Sequence, residues 1–301
     1  MIVPDTTHPT ADTLRSRAED AAIGLPALMA DAHNLAATQL LGVHGRKRTG
    51  TGDEFWEYHS ARPGDAYQSI DWRRSARADE HFVRRTEWQA AQSVMIGVDA
   101  AASMDFTGHK NRPPKRYRAQ TLAMAIAILA IRGGERVGLT QLSEPPRGGK
   151  AQLVRLAAAL LEPVDGSDYG THKPKSLPMG SRAIILSDFL GNPAHIENVL
   201  GQAADRGVKG ALVQVLDPDE EEFPYTGRTI FTSMAETMRF ETRKAKSLRT
   251  AYVDRLAARK DRLRTAARRT GWQYRCHHTD QPPAPILMWI YQTLEKGRGG
   301  W

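Results

Sequence analysis

From Ser93 onward, short apolar runs alternate with longer stretches of helical spacing. Val94–Asp99 is an apolar run that closes on an acid, and Arg182–Asp188 is a second. Arg136–Leu142, Val208–Leu216 and Trp272–Cys276 read as three further strands. Between them, Arg116–Arg132 is apolar on nearly all sides and predicts a buried helix. Ala151–Leu161, Ala194–Arg206 and the terminal Ala284–Leu294 predict three more helices. Short apolar strands alternating with helices predict an α/β fold with a mostly parallel sheet covered by helices on both faces. Thr229–Ser233 and Met238–Glu241 predict a β-hairpin added on the outside. In the segment 243–270, Leu248, Tyr252, Leu256, Leu263 and Ala267 fall near one face of a helix.

The pattern before residue 93 is different. Residues 1–20 are polar and predict a disordered tail, and residues 21–92 read as a separate N-terminal β/α elaboration. Leu25–Val43 has apolar positions at helical spacing and runs into GRKRTGTGDEF, whose glycines stop any helix. Glu54–His59 and His81–Trp88 have strand-like aromatic and β-branched content. Between them Pro63-Gly64 marks a turn, and Asp65 with Gln68 three residues on forms a capping-box pattern for a short helix.

Composition narrows the class. With 301 residues, 41% hydrophobic and 25% charged, the chain can bury one large or two small cores. One cysteine, Cys276, excludes a disulfide within the chain. The longest apolar run, Leu122–Ile131, falls far short of the ~20 residues of a spanning helix, and no basic segment leads into an apolar one near Met1. A cytoplasmic protein without a membrane role is the expectation. The net charge of +8 is local: residues 243–270 hold eleven Lys/Arg against two acids, a net of +9, which leaves the rest at −1.

Two strands deliver an acid, Asp99 and Asp188, to their carboxyl ends, the edge where open α/β sheets bind ligands. With the hydroxyl of Ser103, two hard carboxylates could approach magnesium. Equally, both could cap backbone amides at the turns after their strands.

VDAAASM, followed by ILSD at the end of a later strand, resembles the von Willebrand factor A-type domain. GTGDEF, RPGD, IDWR and SAR upstream resemble the signature of the bacterial domain-of-unknown-function fifty-eight family, which joins such a segment to an A-type domain. The resemblance runs from about Leu25 to the C-terminus. It implies a von Willebrand factor A-like fold over residues 93–301 and a MoxR-type AAA+ ATPase as partner. It also implies a divalent ion held by Asp-x-Ser-x-Ser, a Thr on a second loop and an Asp on a third. Asp99, Ser103 and Asp188 match that set. Ala101 replaces the first serine, and SEPPRGGKAQ, taken as the second loop, has only the hydroxyl of Ser143. The expectation is a degenerate ion-dependent adhesion site, with no required cofactor and at most weak magnesium. An ion-free site further predicts that amides or an arginine compensate the two carboxylates.

Arg62, Gly64, Asp65, Asp71, Trp72, Arg73 and Arg77 form the second candidate, read either as a partner surface or as an internal ion-pair network with Trp72 buried beneath. In the second case Trp72→Ala would cost roughly 3–5 kcal/mol. The basic segment 243–270 could follow phosphates, but no aromatics interleave its arginines and no nucleic-acid motif is present, so a solvated helix face is expected. RGGK at 147–150 lacks the spacing of a phosphate loop. His277 and His278 read as structural, and DPDEEE at 217–222 as a solvated turn. No catalytic constellation emerges. The resulting expectation is a non-enzymatic adaptor or co-chaperone for a MoxR-type ATPase and an unidentified client. Its competitors are a phosphate-binding or hydrolytic enzyme at the Asp99/Asp188 edge, and a nucleic-acid module.

Overall fold

The computed structural model describes residues 31–36, 55–61, 70–76, 81–86, 92–162 and 167–296. The chain divides into two units, one of residues 42–91 and one of residues 1–41 with 92–301.

In the smaller unit, β1 (Phe55–Ser60) pairs antiparallel with β2 (Phe82–Thr86). A single helical turn, α1 (Trp72–Ser75), is tied to β2 by the residues around it. Asp71 caps the turn by accepting from Arg74 N at 3.1 Å, and its own amide donates to Phe82 O at 2.8 Å. Ser75 Oγ donates to Asp71 O and accepts from Phe82 N, so one buried hydroxyl joins turn and strand. Asp71 thus joins turn and strand within the smaller unit. Trp72 overturns the reading that buried it beneath an ion-pair network. It is 45% exposed and meets His81 edge-on at 5.4 Å, because α1 turns its buried side, Ser75, toward β2. Arg73 and Arg74 are exposed, with the Arg74 guanidinium 5.4 Å from the Phe82 ring. Arg62, Gly64, Asp65 and Arg77, and the expected Asp65 capping box, lie outside the described residues.

The larger unit is built on five parallel strands in the order β4-β3-β5-β6-β9. They are β3 (Ser93–Val98), β4 (Arg136–Leu139), β5 (Arg182–Ser187), β6 (Lys209–Leu216) and β9 (Gln273–His278). Their side chains alternate between two cores. Val94, Ile96, Val98, Ile184, Leu186, Val213 and Val215 face one; Met95, Ala183, Ile185 and Leu212 face the other. The first core is closed by α2 (Lys115–Arg132), α3 (Lys150–Leu160), α7 (Pro283–Lys296) and helical residues 31–36. The second is closed by α4 (Pro193–Asp205) and α6 (Arg249–Arg269), with Trp272 Nε1 donating to Val208 O at 3.0 Å. Burial on both faces is why β3, β5 and β6 read as largely apolar runs, whereas β9 at the sheet edge is QYRCHH and only partly buried.

The added hairpin is present as β7 (Thr229–Thr232) and β8 (Arg239–Thr242). Phe231 stacks on Phe223 at 5.6 Å, and Phe223 lies 4.9 Å from Tyr252 of α6, an aromatic cluster that holds the hairpin to the domain. The acidic run departs from expectation. Pro218–Glu222 forms a short helix, α5, opened by a capping box between Asp217 and Glu220. Asp217 is fully buried, so this run is not simply a solvated turn: Asp217 and Glu220 pair with cations from distant segments, while Glu222 stays exposed. Among the described residues, no helix is long and apolar enough to cross a membrane.

With nearly half its surface in water, Trp72 should matter less than a core aromatic. Trp72→Ala should cost about 1 kcal/mol in urea unfolding, the scale of one aromatic pair. A loss of the size expected for a buried site would contradict this placement.

Candidate functional site

Strand β3 lies between β4 and β5, so the chain leaves β3 to one side and returns to the other. That reversal is a topological switch point, and it opens a crevice at the carboxyl ends of β3 and β5. Asp99 and Asp188 sit at those two ends, with Asp99 N donating to Leu186 O at 2.9 Å. Both are buried, at 5% and 0% exposure.

Every carboxylate oxygen of the pair accepts a hydrogen bond. Asp99 accepts from Ala101 N at 2.9 Å and from Ser187 Oγ at 2.6 Å. Asp188 accepts from Leu190 N at 3.0 Å and from the Lys115 ammonium at 2.9 Å. Lys115 is itself fully buried and also donates to Glu220 at 2.6 Å. Each acid is thus bonded by a backbone amide, as expected of compensated carboxylates, and Asp188 also by a lysine where an arginine was the alternative. Burial works against the Lys115 ammonium, but Asp188 and Glu220 outweigh it and raise its pKa. Burial also raises the pKa of Asp99, against its hydrogen bonds from Ser187 and Ala101. The same cause raises that of Glu220.

Lys115 was missed because nothing beside it in the sequence marks it. One signal was available. Lys115 and Arg116 open a helix, where the macrodipole disfavours cations, so two basic residues there need another reason. Arg116 supplies its own: Nη2 donates to the carbonyls of Ala100 and Ala101 at 3.1 and 2.9 Å, and the guanidinium pairs with Asp105. Arg112 adds bonds to Asp217 and Asp219 at 2.7 and 2.8 Å.

The second loop at this rim is not SEPPRGGKAQ. Arg147 pairs antiparallel with Val137, so that segment runs back along the edge of β4. Residues 167–170 take the place instead. Ala102 N donates to Ser167 O at 2.8 Å and Ser103 N to Asp168 O at 2.9 Å. Gly170 approaches Asp99 so closely that a Cβ there would collide with its carboxylate. The Asp168 carboxylate turns away to Ala235 N and Thr237 Oγ1 of the hairpin turn. Ser103 Oγ is buried and makes no hydrogen bond. Set against a divalent ion, then, the donors are four carboxylate oxygens already engaged, one lysine ammonium in contact, one free hydroxyl and an alanine at position 101.

Two other clusters bear on chemistry. Glu221, Cys276 and His278 bring an oxygen, a sulfur and a nitrogen within 4.8 Å of one another, and Lys260 is already hydrogen-bonded to Glu221 there. Burial pushes the Cys276 thiol up to about 11 and the adjacent His277 down to about 3, so neither is ionised at neutral pH. On α6, much of the positive charge is spent within the chain: Arg262 forms a bidentate pair with Glu197, Lys260 pairs with Glu221, and Arg259 donates to Leu190 O.

The family model described as "Protein of unknown function DUF58" matches residues 57–262. Among solved structures, an aerotolerance-related membrane protein from Bacteroides fragilis, with multiple mutations to serines, shares 15% identity at a TM-score of 0.39. The alignment covers 68% of this chain and 100% of that one. The conserved hypothetical protein BatB from Bacteroides thetaiotaomicron shares 14% at 0.36, covering 70% and 100%. Likeness at this level carries no functional argument. No curated protein matches the chain.

Removing the buried cation strands two acids in the interior. Lys115→Met should therefore destabilise the chain by about 3–5 kcal/mol. The deficit should shrink as pH falls, because protonating Glu220 relieves its uncompensated charge. Denaturant titrations of both proteins across acid pH test this, and a loss independent of pH would refute it. Asp99 gives a second test. Its raised pKa means the folded chain keeps a proton that the unfolded chain has released, so its contribution to stability falls as pH rises through that window. Asp99→Asn lacks this component and should gain on the wild type as pH rises from the ordinary carboxylate range through the raised one. A constant difference between the two would show that Asp99 titrates normally.

Proposed function

The chain belongs to the DUF58 family, and from that membership we propose that it is a non-enzymatic interaction protein, an adaptor or co-chaperone that works with a MoxR-type AAA+ ATPase. The observation that carries the reading is the Lys115 ammonium held between Asp188 and Glu220. An A-type rim that recognises partners through a metal needs an ion with open coordination positions. Here a tethered cation meets the acid where an ion would be sought, and Ala101 offers no side-chain oxygen. Magnesium demands near-octahedral oxygen ligation, which this donor set supplies poorly. The proposed contact is accordingly metal-independent and made by the protein's own groups.

The same features count against the hydrolytic alternative. Asp99 is hydrogen-bonded at both oxygens, and Asp188 is neutralised by Lys115, so neither stands ready to activate water. The von Willebrand factor A-like assignment, suggested by Asp99 and Asp188 on adjacent parallel strands, is part of this reading.

Capture of a purified, nucleotide-free MoxR-type ATPase by this protein tests it, with and without EDTA. Stable capture in both conditions is expected. Loss in EDTA with recovery in magnesium would reinstate the metal site, and absence of capture in every condition would remove the ATPase from the reading. Turnover of p-nitrophenyl phosphate that Asp99→Asn abolishes would replace the adaptor with a hydrolase.

A further inference from the structure

Beside the Asp99/Asp188 rim lies a cavity of about 360 Å³, walled by the loop at Asp168 and Tyr169, by α6 and by the hairpin turn at Met234. Its polar lining is unevenly satisfied. The two carboxylates there are engaged: Asp168 by Ala235 N and Thr237 Oγ1, Glu220 by Lys115 and Asp217 N. Two other groups are not. Ser103 is 7% exposed, and its hydroxyl makes no hydrogen bond. Arg259 donates from Nη2 to Leu190 O at 3.3 Å, while its Nη1 is shut from water without a partner. A guanidinium nitrogen can only donate, and leaving a buried charged donor unpaired is costly. The missing component is therefore an acceptor, and a negatively charged one makes the stronger bond.

We propose that this cavity receives the carboxylate of an acidic side chain on a partner protein, with Arg259 Nη1 and Ser103 Oγ as its donors once the half-buried Arg259 side chain shifts to admit it. The commitment to a protein partner comes from the surface alongside. Met234 at the cavity is 43% exposed, and Met238 and Phe240 on the hairpin are 52% and 56% exposed. A free anion would leave this apolar surface in water, whereas a peptide with apolar residues beside its acid covers it. Arg255, which also lines the cavity, joins Arg259 in offsetting the carboxylates of Asp168 and Glu220. The inference rests on the interaction-protein reading and names the partner's chemistry at the same rim.

Random peptides displayed on phage, selected against the full chain, provide the probe, and enriched sequences are then synthesised and titrated by fluorescence anisotropy. The enriched peptides should share an acidic residue flanked by apolar ones. Replacing that acid by its amide, or Arg259 by Gln, should weaken binding by about tenfold or more, the worth of a charge-assisted hydrogen bond. Arg259→Lys should keep part of the affinity and Ser103→Ala should lose less, while Arg268→Gln, at the far end of α6, should change nothing. Thermal melts confirm that each variant folds. Enriched peptides without an acid, binding indifferent to Arg259→Gln, or no enrichment at all would overturn the inference. Inorganic phosphate that binds with the same Arg259 dependence and displaces the peptides would replace it with a free-anion site. No ATPase enters this experiment, so its failure leaves the ATPase reading standing, and failed ATPase capture leaves acid-dependent peptide binding untouched.

Discussion

A single ammonium group, Lys115 Nζ, holds the carboxyl edge of this sheet together. It is fully buried and touches two acids from segments 73 and 105 positions away, Asp188 after β5 and Glu220 in α5. Taking any of the three charges out of water alone would cost several kcal/mol, so none is tolerable without the others. That requirement fixes where α2 begins, because its first residue must reach the crevice between β3 and β5. It also turns α5 inward, since Glu220 must reach the same point. The neighbours extend the arrangement: Arg112 binds Asp217 and Asp219, and Arg116 binds Asp105 and the carbonyls of Ala100 and Ala101. Five residues, Arg112–Arg116, thus supply the cations for acids drawn from three different segments.

The sheet was legible because its physics is local. A strand buried on both faces must be largely apolar, and VMIGV, AIILS and ALVQVL show that without reference to partners. The acids closing two of these strands were legible for the same reason, as was the buried helix carrying LAMAIAILAI. What failed to show was pairing. DPDEEE looks like any solvated acidic turn until Arg112, Lys115 and Lys260 are brought to it, and its burial follows from their arrival. The loop after β4 illustrates a related limit: the resemblance nominated SEPPRGGKAQ as the second loop of the site, but a backbone pairing between Arg147 and Val137 lays it along the sheet edge instead. Trp72 failed differently. The ion-pair reading put the tryptophan beneath the charges, yet in a four-residue turn only one side can be covered, and Ser75 takes it.

A lysine at this point is not equivalent to a metal ion. It carries one charge where a divalent ion carries two, and its two hydrogen bonds go to acids of its own chain, so it offers no coordination position to an incoming acid. It is also always present, whatever the ion concentration. A rim stabilised this way is rigid and self-contained at Asp99 and Asp188, which makes those carboxylates poor candidates for direct recognition. Unsatisfied hydrogen-bonding capacity is found farther out, at Ser103 and Arg259, on the loop after β3 and on the basic helix. The excess positive charge of residues 243–270 then has a local meaning: α6 spends Lys260 and Arg262 on holding α5 and α4, while Arg259 keeps one nitrogen unspent beside the cavity. Recognition displaced outward in this way uses the ion-paired interior as support for donors that the interior itself does not consume.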